Sequence, residues 1–227
     1  MKITVLIPVY NEEKTIAQAI NNVLKAKVAS QIIVINDGST DGTVNELKKF
    51  KDKKIQIFHK KNGGKGSALR LGIKEATGDY IVIQDADLEY HPEDIRLLIE
   101  PIERRGVEVV YGSRFIGAHS NLLYWHLVGN KLLNFLVNIL YDTTISDMET
   151  CYKLIPTHLM KELNLQANAF DIEPEITCKI LRKGIKIYEV PISYVGRDFS
   201  EGKKISWKDA GSAIFTILKW RVTPIES

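Results

Sequence analysis

The sequence predicts an α/β fold, a mostly parallel sheet with helices on both faces. Three observations carry that reading. Apolar runs rich in Ile and Val alternate with segments of helical spacing from the start of the chain to about residue 112. The runs barely alternate apolar with polar, as strands buried on both faces do. Three of them are followed by loops with unusual polar residues, where open α/β sheets bind ligands.

Lys2 to Val9 reads as the first strand. Glu12 to Lys25 places Ile16, Ala19, Ile20, Val23 and Leu24 at helical spacing. Gln31 to Asn36 is a second strand. Asp37 to Gly42 is a turn-rich loop in which Asp41 stands as the cap of a helix from Thr43 to Lys49. Ile55 to His59 is a third strand. Asn62-Gly63-Gly64-Lys65-Gly66 is a loop, and the helix after it ends near Gly78. Tyr80 to Gln84 is a fourth strand. His91-Pro92-Glu93-Asp94 marks a helix start, with Pro92 at its first position and acids in its first turn. Val107 to Tyr111 is a further strand.

The second half is less regular. Leu122 to Leu140 and Ile172 to Leu181 read as helices, and Cys151 to Ile155 as a short strand. Ile185 to Tyr194 is strand-like around Pro191, which suggests an edge or a bulge. Ser206 to Arg221 is a terminal helix. No repeat, low-complexity tract or linker interrupts the chain, so a single domain over 1–227 is expected. Its two expected halves are residues 1–112, where strands and helices alternate, and 113–227.

The 227 residues are ample for one large α/β core. A net charge of +3 is too small to argue for nucleic acid, although Arg197, Lys203, Lys204, Lys208, Lys219 and Arg221 cluster after Gly196. Two cysteines without a C-x-x-C pair argue against a disulfide scaffold or a thiolate zinc site and fit a reducing compartment. The amino terminus lacks the features of a signal peptide. No stretch reaches the ~18 apolar residues that span a bilayer; Leu127 to Tyr141 is broken by Asn130, Lys131, Asn134 and Asn138. A cytoplasmic chain is expected, with peripheral contact on the cytoplasmic membrane face left open. The terminal segment, with Trp207, Phe215, Trp220 and flanking lysines, suits either an interface helix or a helix docked on the protein's own core. Leu122, Leu123, Trp125, Leu127, Leu132 and Leu133 are equally open between core and a lipid-facing patch.

Asp85-Ala86-Asp87 is the most informative segment. Two carboxylates one residue apart, after a buried strand, suit a divalent metal that carries a diphosphate. The plainer alternative is an acidic turn. Two more loops, Pro8-Val9-Tyr10-Asn11-Glu12 and Asp37 to Asp41, also follow strands and face the same crevice. Asp37 can accept hydrogen bonds from a nucleobase, Tyr10 can stack on it, and the backbone at Pro8 and Ala86 can close over it. Asp87 reaches the metal, with Glu89 as second carboxylate if the segment is extended. The plainer reading of Asp37 is a carboxylate bonding its own loop. No G-x-G-x-x-G follows the first strand, which argues against a dinucleotide dehydrogenase.

Pro8 to Glu12, Asp37 to Asp41, Gly64-Lys65-Gly66 and Asp85 to Asp87 together resemble the motif series of family 2 glycosyltransferases. Tyr111 to Phe115, Asp147 to Lys153, Tyr194 to Arg197 and Glu201 to Lys204 resemble, more narrowly, the polyprenyl-phosphate sugar synthases of that family, such as dolichyl-phosphate mannosyl- and glucosyltransferases. The resemblance implies an A-type glycosyltransferase fold and a Mg²⁺- or Mn²⁺-dependent, inverting hexosyltransferase. The donor is then a nucleoside diphosphate sugar of GDP-mannose or UDP-glucose type, and the acceptor a polyprenyl or dolichyl phosphate. It assigns Asp85 to the nucleoside or ribose, Asp87 to the metal and Glu12 to a nucleoside contact. A glycine-rich loop lets Lys65 approach phosphate, the Arg114 fork suits the acceptor phosphate, and Arg197 and Lys203 suit the donor diphosphate or the acceptor phosphate. A phosphate acceptor is already ionised. A saccharide hydroxyl, the alternative acceptor, needs a base, for which Asp147 and Glu149 are the candidates; their plainer role is to hold their loop by pairing with Arg114 or Lys153. A non-catalytic nucleotide-sugar-binding module is the third reading. The chain departs from many family members by stopping at Ser227, before their transmembrane helices.

Overall fold

The computed structural model describes residues 1–120, 124–196 and 207–224, with the backbone alone at 207–209. In chain order the first half contains β1 (Ile3–Val9), α1 (Ile16–Ala26), β2 (Gln31–Asn36), α2 (Thr43–Leu47), β3 (Ile55–His59), α3 (Lys65–Glu75), β4 (Tyr80–Ile83), α4 (Ile95–Arg105) and β5 (Val109–Ser113). The second contains β6 (His119–Ser120), α5 (Tyr124–Tyr141), β7 (Lys153–Pro156), α6 (Thr157–Glu162), α7 (Ile172–Arg182), β8 (Ile187–Pro191), β9 (Tyr194–Val195) and α8 (Trp207–Val222).

Seven strands form one sheet in the order β3-β2-β1-β4-β7-β5-β8. All its pairings are parallel except those of β7, which runs antiparallel to both β4 and β5. The expected mostly parallel sheet is therefore present, with one reversed strand that four residues of sequence gave no means of orienting. β1 and β2 are buried along nearly their whole length because helices cover both faces. Each fully buried Ile, Leu or Val there contributes ~1.5–3 kcal/mol. Chain order reverses between β1 and β4, since β2 and β3 extend to one side and β4 to the other. That switch point is where open α/β sheets bind ligands.

Four elements differ from expectation. α1 starts at Ile16 rather than Glu12, because Asn11 adopts a left-handed conformation (φ 52°) and residues after it form a turn closed by the Ile16 N–H on the Glu12 carbonyl. α4 is preceded by a 3₁₀ turn, Pro92–Asp94. β5 begins two residues later than its apolar run suggests. The Pro191 segment lies at the sheet edge, and its last residues form β9, which pairs with β6 in a small separate ribbon.

A second cluster lies away from the sheet. Leu133 and Val137 of α5, Ile145, Met148, Cys178 of α7, and Ala213, Ile217 and Trp220 of α8 pack together. α8 therefore docks on the protein's own core, and Tyr141 Oη donates to the Ile217 carbonyl at 2.8 Å. No helix among the described residues is long and apolar enough to cross a membrane.

Candidate functional site

The loops after β1, β2 and β4 adjoin because those strands are neighbours. The first two are laced together. The Asn11 N–H donates to Ser39 Oγ (3.0 Å), the Thr40 N–H to Asn11 Oδ1 (2.8 Å) and the Glu12 N–H to Thr43 Oγ1 (2.9 Å). Asp41 stands one residue before Gly42, the N-cap of α2, rather than at the cap itself, and accepts the Thr43 N–H (3.0 Å). Tyr10 is 39% exposed at the rim, Pro8 is partly buried and Ala86 is buried. Glu12 accepts from Thr15 Oγ1 at 2.8 Å.

Asp37 occupies the plainer of its two expected roles. Its buried carboxylate accepts the Gly63 and Gly64 N–H groups (3.0 and 2.7 Å) and pairs with Lys60 Nζ at 2.6 Å. A carboxylate offers about four acceptor positions, and these contacts take most of them. Asp37 thus clamps the glycine loop, and its contact with a nucleobase stays an expectation. Gly64 is required there: its φ is +93°, and a Cβ would meet the Asn168 carbonyl oxygen at 2.3 Å. The loop thus lies directly on the segment before α7, and the Ser67 N–H donates to the same Asn168 carbonyl.

This docking places Lys65. Its ammonium lies 2.8 Å from Asp85 Oδ1 and 3.2 Å from Glu173 Oε1. The second contact is close enough for charge attraction but is not aligned as a hydrogen bond. Burial acts to lower the Lys65 pKa, yet Asp85 and Glu173 outweigh it and the pKa is raised. Glu173 also accepts from the fully buried Lys153 Nζ at 2.5 Å, and Lys153 donates to the Thr150 carbonyl. A chain of alternating charge, Asp85–Lys65–Glu173–Lys153, therefore runs from the end of β4 through the start of α7 to β7.

The acidic triplet itself is bent. Leu88 has φ 66°, so residues 87–89 are not extended and the alternation that paired Asp87 with Glu89 does not hold. Asp87 Oδ1 accepts the Glu89 N–H at 3.2 Å. Glu89 is buried, and its Oε2 accepts the Tyr194 hydroxyl at 2.7 Å. Positive φ at a bulky residue costs of order 1 kcal/mol or more and clusters at functional sites.

Arg114 likewise has a protein partner. Its Nε and Nη2 donate to Asp147 Oδ2 and Oδ1 at 2.8 and 2.7 Å, and its backbone N–H donates to Oδ2 at 2.8 Å. The guanidinium stands over the Tyr194 ring at 5.3 Å. Burial opposes its charge, but Asp147 prevails and holds its pKa well above the ordinary value. Asp147 is fully buried, and its loop is fixed from below: Glu189 accepts from the Ser146 and Asp147 N–H groups, and Asn134 Oδ1 accepts the Met148 N–H (2.9 Å).

Glu149 has no such partner. Its Oε1 is buried without a hydrogen bond. Burial, reinforced by Glu173 and Asp147 and opposed by Lys153 and Arg114, pushes its carboxyl up to about 7.

Arg197 and Lys203 lie outside the described residues. The rest of the expected set gathers around the carboxyl ends of β1, β2, β4 and β5. Lys60, Glu173 and the pairing role of Tyr194 had no sequence signal. Glu173 reads only as one of several acids opening a helix, and its contact with Lys65 depends on how the glycine loop docks.

Residues 4–163 match the family model described as Glycosyl transferase family 2. The chain is 30% identical over 206 residues to an uncharacterized protein of Methanocaldococcus jannaschii, covering 88% of this chain and 84% of that protein. It is 30% identical over 220 residues to the UDP-N-acetylglucosamine–dolichyl-phosphate N-acetylglucosaminyltransferase of Methanococcus voltae, covering 87% of each. Its likeness to glycosyltransferase AglJ of Haloferax volcanii is 29% over 200 residues and spans 63% of that relative's length. Among solved structures, the glucosyl-3-phosphoglycerate synthase of Mycobacterium tuberculosis superposes with a TM-score of 0.75 at 20% identity, over 98% of this chain and 81% of that one, which shows the shared fold. With the family model spanning well over half of its length, the chain belongs to glycosyl transferase family 2.

Proposed function

We propose that the chain transfers a hexose-type sugar, with inversion, from a nucleoside diphosphate sugar to a polyprenyl or dolichyl phosphate. One observation carries the reading. The acidic end of β4 stands at the sheet's switch point, joined through Lys65, Glu173 and Lys153 to the loop that holds Arg114. The Methanococcus voltae relative, alike along 87% of both chains, is named for a dolichyl-phosphate acceptor, and the Mycobacterium tuberculosis enzyme was crystallised with UDP and Mn²⁺.

Asp85 and Asp87 form a hard-oxygen donor pair that fits Mg²⁺ or Mn²⁺. Such an ion takes one or two protein carboxylates and completes its shell from water and substrate phosphate, so the lack of a three-residue ligand cluster among the described residues does not count against it. When bound, the ion neutralises charge that develops on the leaving diphosphate. Tyr10, Pro8 and Ala86 border the base. Lys65, held over Asp85, supplies a fixed cation beside the phosphates. Arg197 and Lys203 suit the same diphosphate or the acceptor phosphate. The acceptor oxygen attacks the anomeric carbon from the face opposite the diphosphate, and the bond to the diphosphate breaks with its electron pair on the leaving group. Arg114, paired with Asp147, orients the acceptor side as part of a neutral pair rather than as a lone cation. Catalysis then rests on positioning and charge.

The test is thermal stability with UDP- and GDP-sugars and Mn²⁺, followed by transfer to a polyprenyl phosphate. A bound donor raises the melting temperature, and Asp87→Ala abolishes both the Mn²⁺-dependent part of that rise and turnover. Substantial residual transfer in purified Asp87→Ala would remove the metal role.

Glu149 favours a second reading, transfer to a saccharide hydroxyl. Its Oε1 is buried without a hydrogen bond and its carboxyl is pushed up to about 7, as suits a general base, whereas Asp147 is bound to Arg114. Under this reading Glu149→Gln lowers kcat by a factor of about 10²–10⁴. Under the phosphate reading it leaves kcat nearly unchanged.

A further inference from the structure

The helix that anchors the Arg114–Asp147 pair packs Leu133 and Val137 into the second cluster and leaves a second apolar face outside. The inner face of α5 carries Asn134 and Asn138, which bond the backbone of residues 145, 146 and 148. Its outer face carries Trp125, Leu132, Phe135 and Ile139, each 58–64% exposed, with Val128 between them. These five recur at steps of three, four, three and four, a single stripe ~21 Å long at 1.5 Å per residue. An exposed apolar stripe of this size marks an interaction surface.

Charge decides what fits it. From Phe115 to Tyr141 the sequence contains no Asp or Glu, while Lys131 is exposed on the same helix and Arg221 on the neighbouring α8. A seam between two copies of the helix would use paired charges at the flanking positions. Those positions are Gly129, Lys131, Leu136 and Asn138, with no acid to pair. A lipid interface needs no complementary acid, accepts apolar side chains at shallow depth and attracts cations. Tyr124 and Trp125, both exposed at the amino end of the stripe, suit the headgroup boundary. We propose that the outer face of α5 docks in the plane of an anionic lipid bilayer, with Trp125, Val128, Leu132, Phe135 and Ile139 inserted. This goes beyond the proposed transfer reaction and does not depend on which acceptor is used. It places the loop of Asp147 one helix diameter from the lipid surface.

The experiment is flotation of the full chain with vesicles of neutral lipid and of neutral plus anionic lipid. The comparison is Leu132→Ser/Phe135→Ser/Ile139→Ser and the milder Phe135→Ser, with mass by light scattering and urea midpoints for all. The wild-type chain should float with anionic vesicles, the triple variant should partition about tenfold or more weakly, and the single variant should fall between. The urea midpoints should stay equal, because these side chains lie on the outer face. Transfer to a short, water-soluble polyprenyl phosphate should be equal in all variants. Equal flotation of all three chains, or no flotation by a wild-type chain that is dimeric when the triple variant is monomeric, would overturn the proposal, the latter in favour of an interface between copies. A wild-type chain that floats but transfers to no phosphate acceptor would refute the reaction and leave the docking intact.

Discussion

Replacing Glu149 with Gln should stabilise the protein, and only at the alkaline end of its range. The Glu149 carboxyl sits among Lys153, Glu173, Arg114 and Asp147, with Oε1 buried and unpaired. Those charges already balance without it: Lys153 and Lys65 offset Glu173 and Asp85, and Arg114 offsets Asp147. An ionised Glu149 is one negative charge too many, which fits its displacement from 4.5 to about 7. A carboxyl raised in the folded state binds its proton more tightly there than in the unfolded chain. Its contribution is therefore intact below pH ~4.5, falls as pH rises towards 7, and is fully lost above that. The gap corresponds to a penalty of up to about 3 kcal/mol at pH 8; local relaxation and water entry bring the expected value to about 1–3 kcal/mol. Gln has nearly the same shape and cannot ionise. Urea unfolding of both chains, followed by tryptophan fluorescence, should give stabilities within about 1 kcal/mol at pH 5, with Glu149→Gln ahead by about 1–3 kcal/mol at pH 8. A difference that is the same at both pH values would show that Glu149 titrates normally and that the surplus-charge argument is wrong.

Other perturbations test the remaining contacts. Asp147→Ala leaves Arg114 buried without its partner and should cost about 3–5 kcal/mol in a urea titration; a loss under 1 kcal/mol would mean that water reaches the guanidinium. Gly64→Ala combines positive φ with a 2.3 Å collision against Asn168, and should lower stability by about 2 kcal/mol or more. A near-neutral result by thermal melting would show that the glycine loop does not pack on that carbonyl. Lys65→Met and Glu173→Gln, alone and together, should show a coupling of about 0.5–3 kcal/mol in a double-mutant cycle. Additive effects would break the charge chain between β4 and α7.

The first half of the fold was legible because its strands are buried on both faces, and such strands must be nearly continuous Ile and Val. The loops after β1, β2 and β4 were legible as one site for a related reason: parallel strands put all their carboxyl ends on one edge. Partner choice was not legible. Asp37 reads equally well as a ligand acceptor or a loop clamp until Lys60 and the Gly63–Gly64 amides are seen on its oxygens. Glu89 looked like a companion to Asp87 because an extended segment was assumed, and the left-handed Leu88 turns it towards Tyr194 instead. The orientation of α5 was also hidden. Apolar residues surround much of that helix, so periodicity alone does not say which face is core. Asn134 and Asn138, which interrupt an apolar run, face inward beside the core residues Leu133 and Val137.

That mixed inner face bears on how the Asp147 loop is held. An ordinary surface helix holds itself by apolar burial and leaves its polar groups to water. α5 does bury Leu133 and Val137, and adds two asparagines that bond the backbone of residues 145, 146 and 148 on either side of the Asp147 that pairs with Arg114. Buried amide contacts of this kind are geometrically exacting, because each unmet partner costs about 1–3 kcal/mol. They fix the loop more tightly than apolar packing would, since apolar groups slide without losing a specific bond. The outward apolar stripe and the inward asparagines are thus two consequences of one arrangement. The helix holds the Asp147 loop by hydrogen bonds and its own place by Leu133 and Val137, which leaves the apolar side chains of its outer face available to another phase. A load placed on the outer face reaches the Asp147 loop through the two asparagines as well as through the packed cluster.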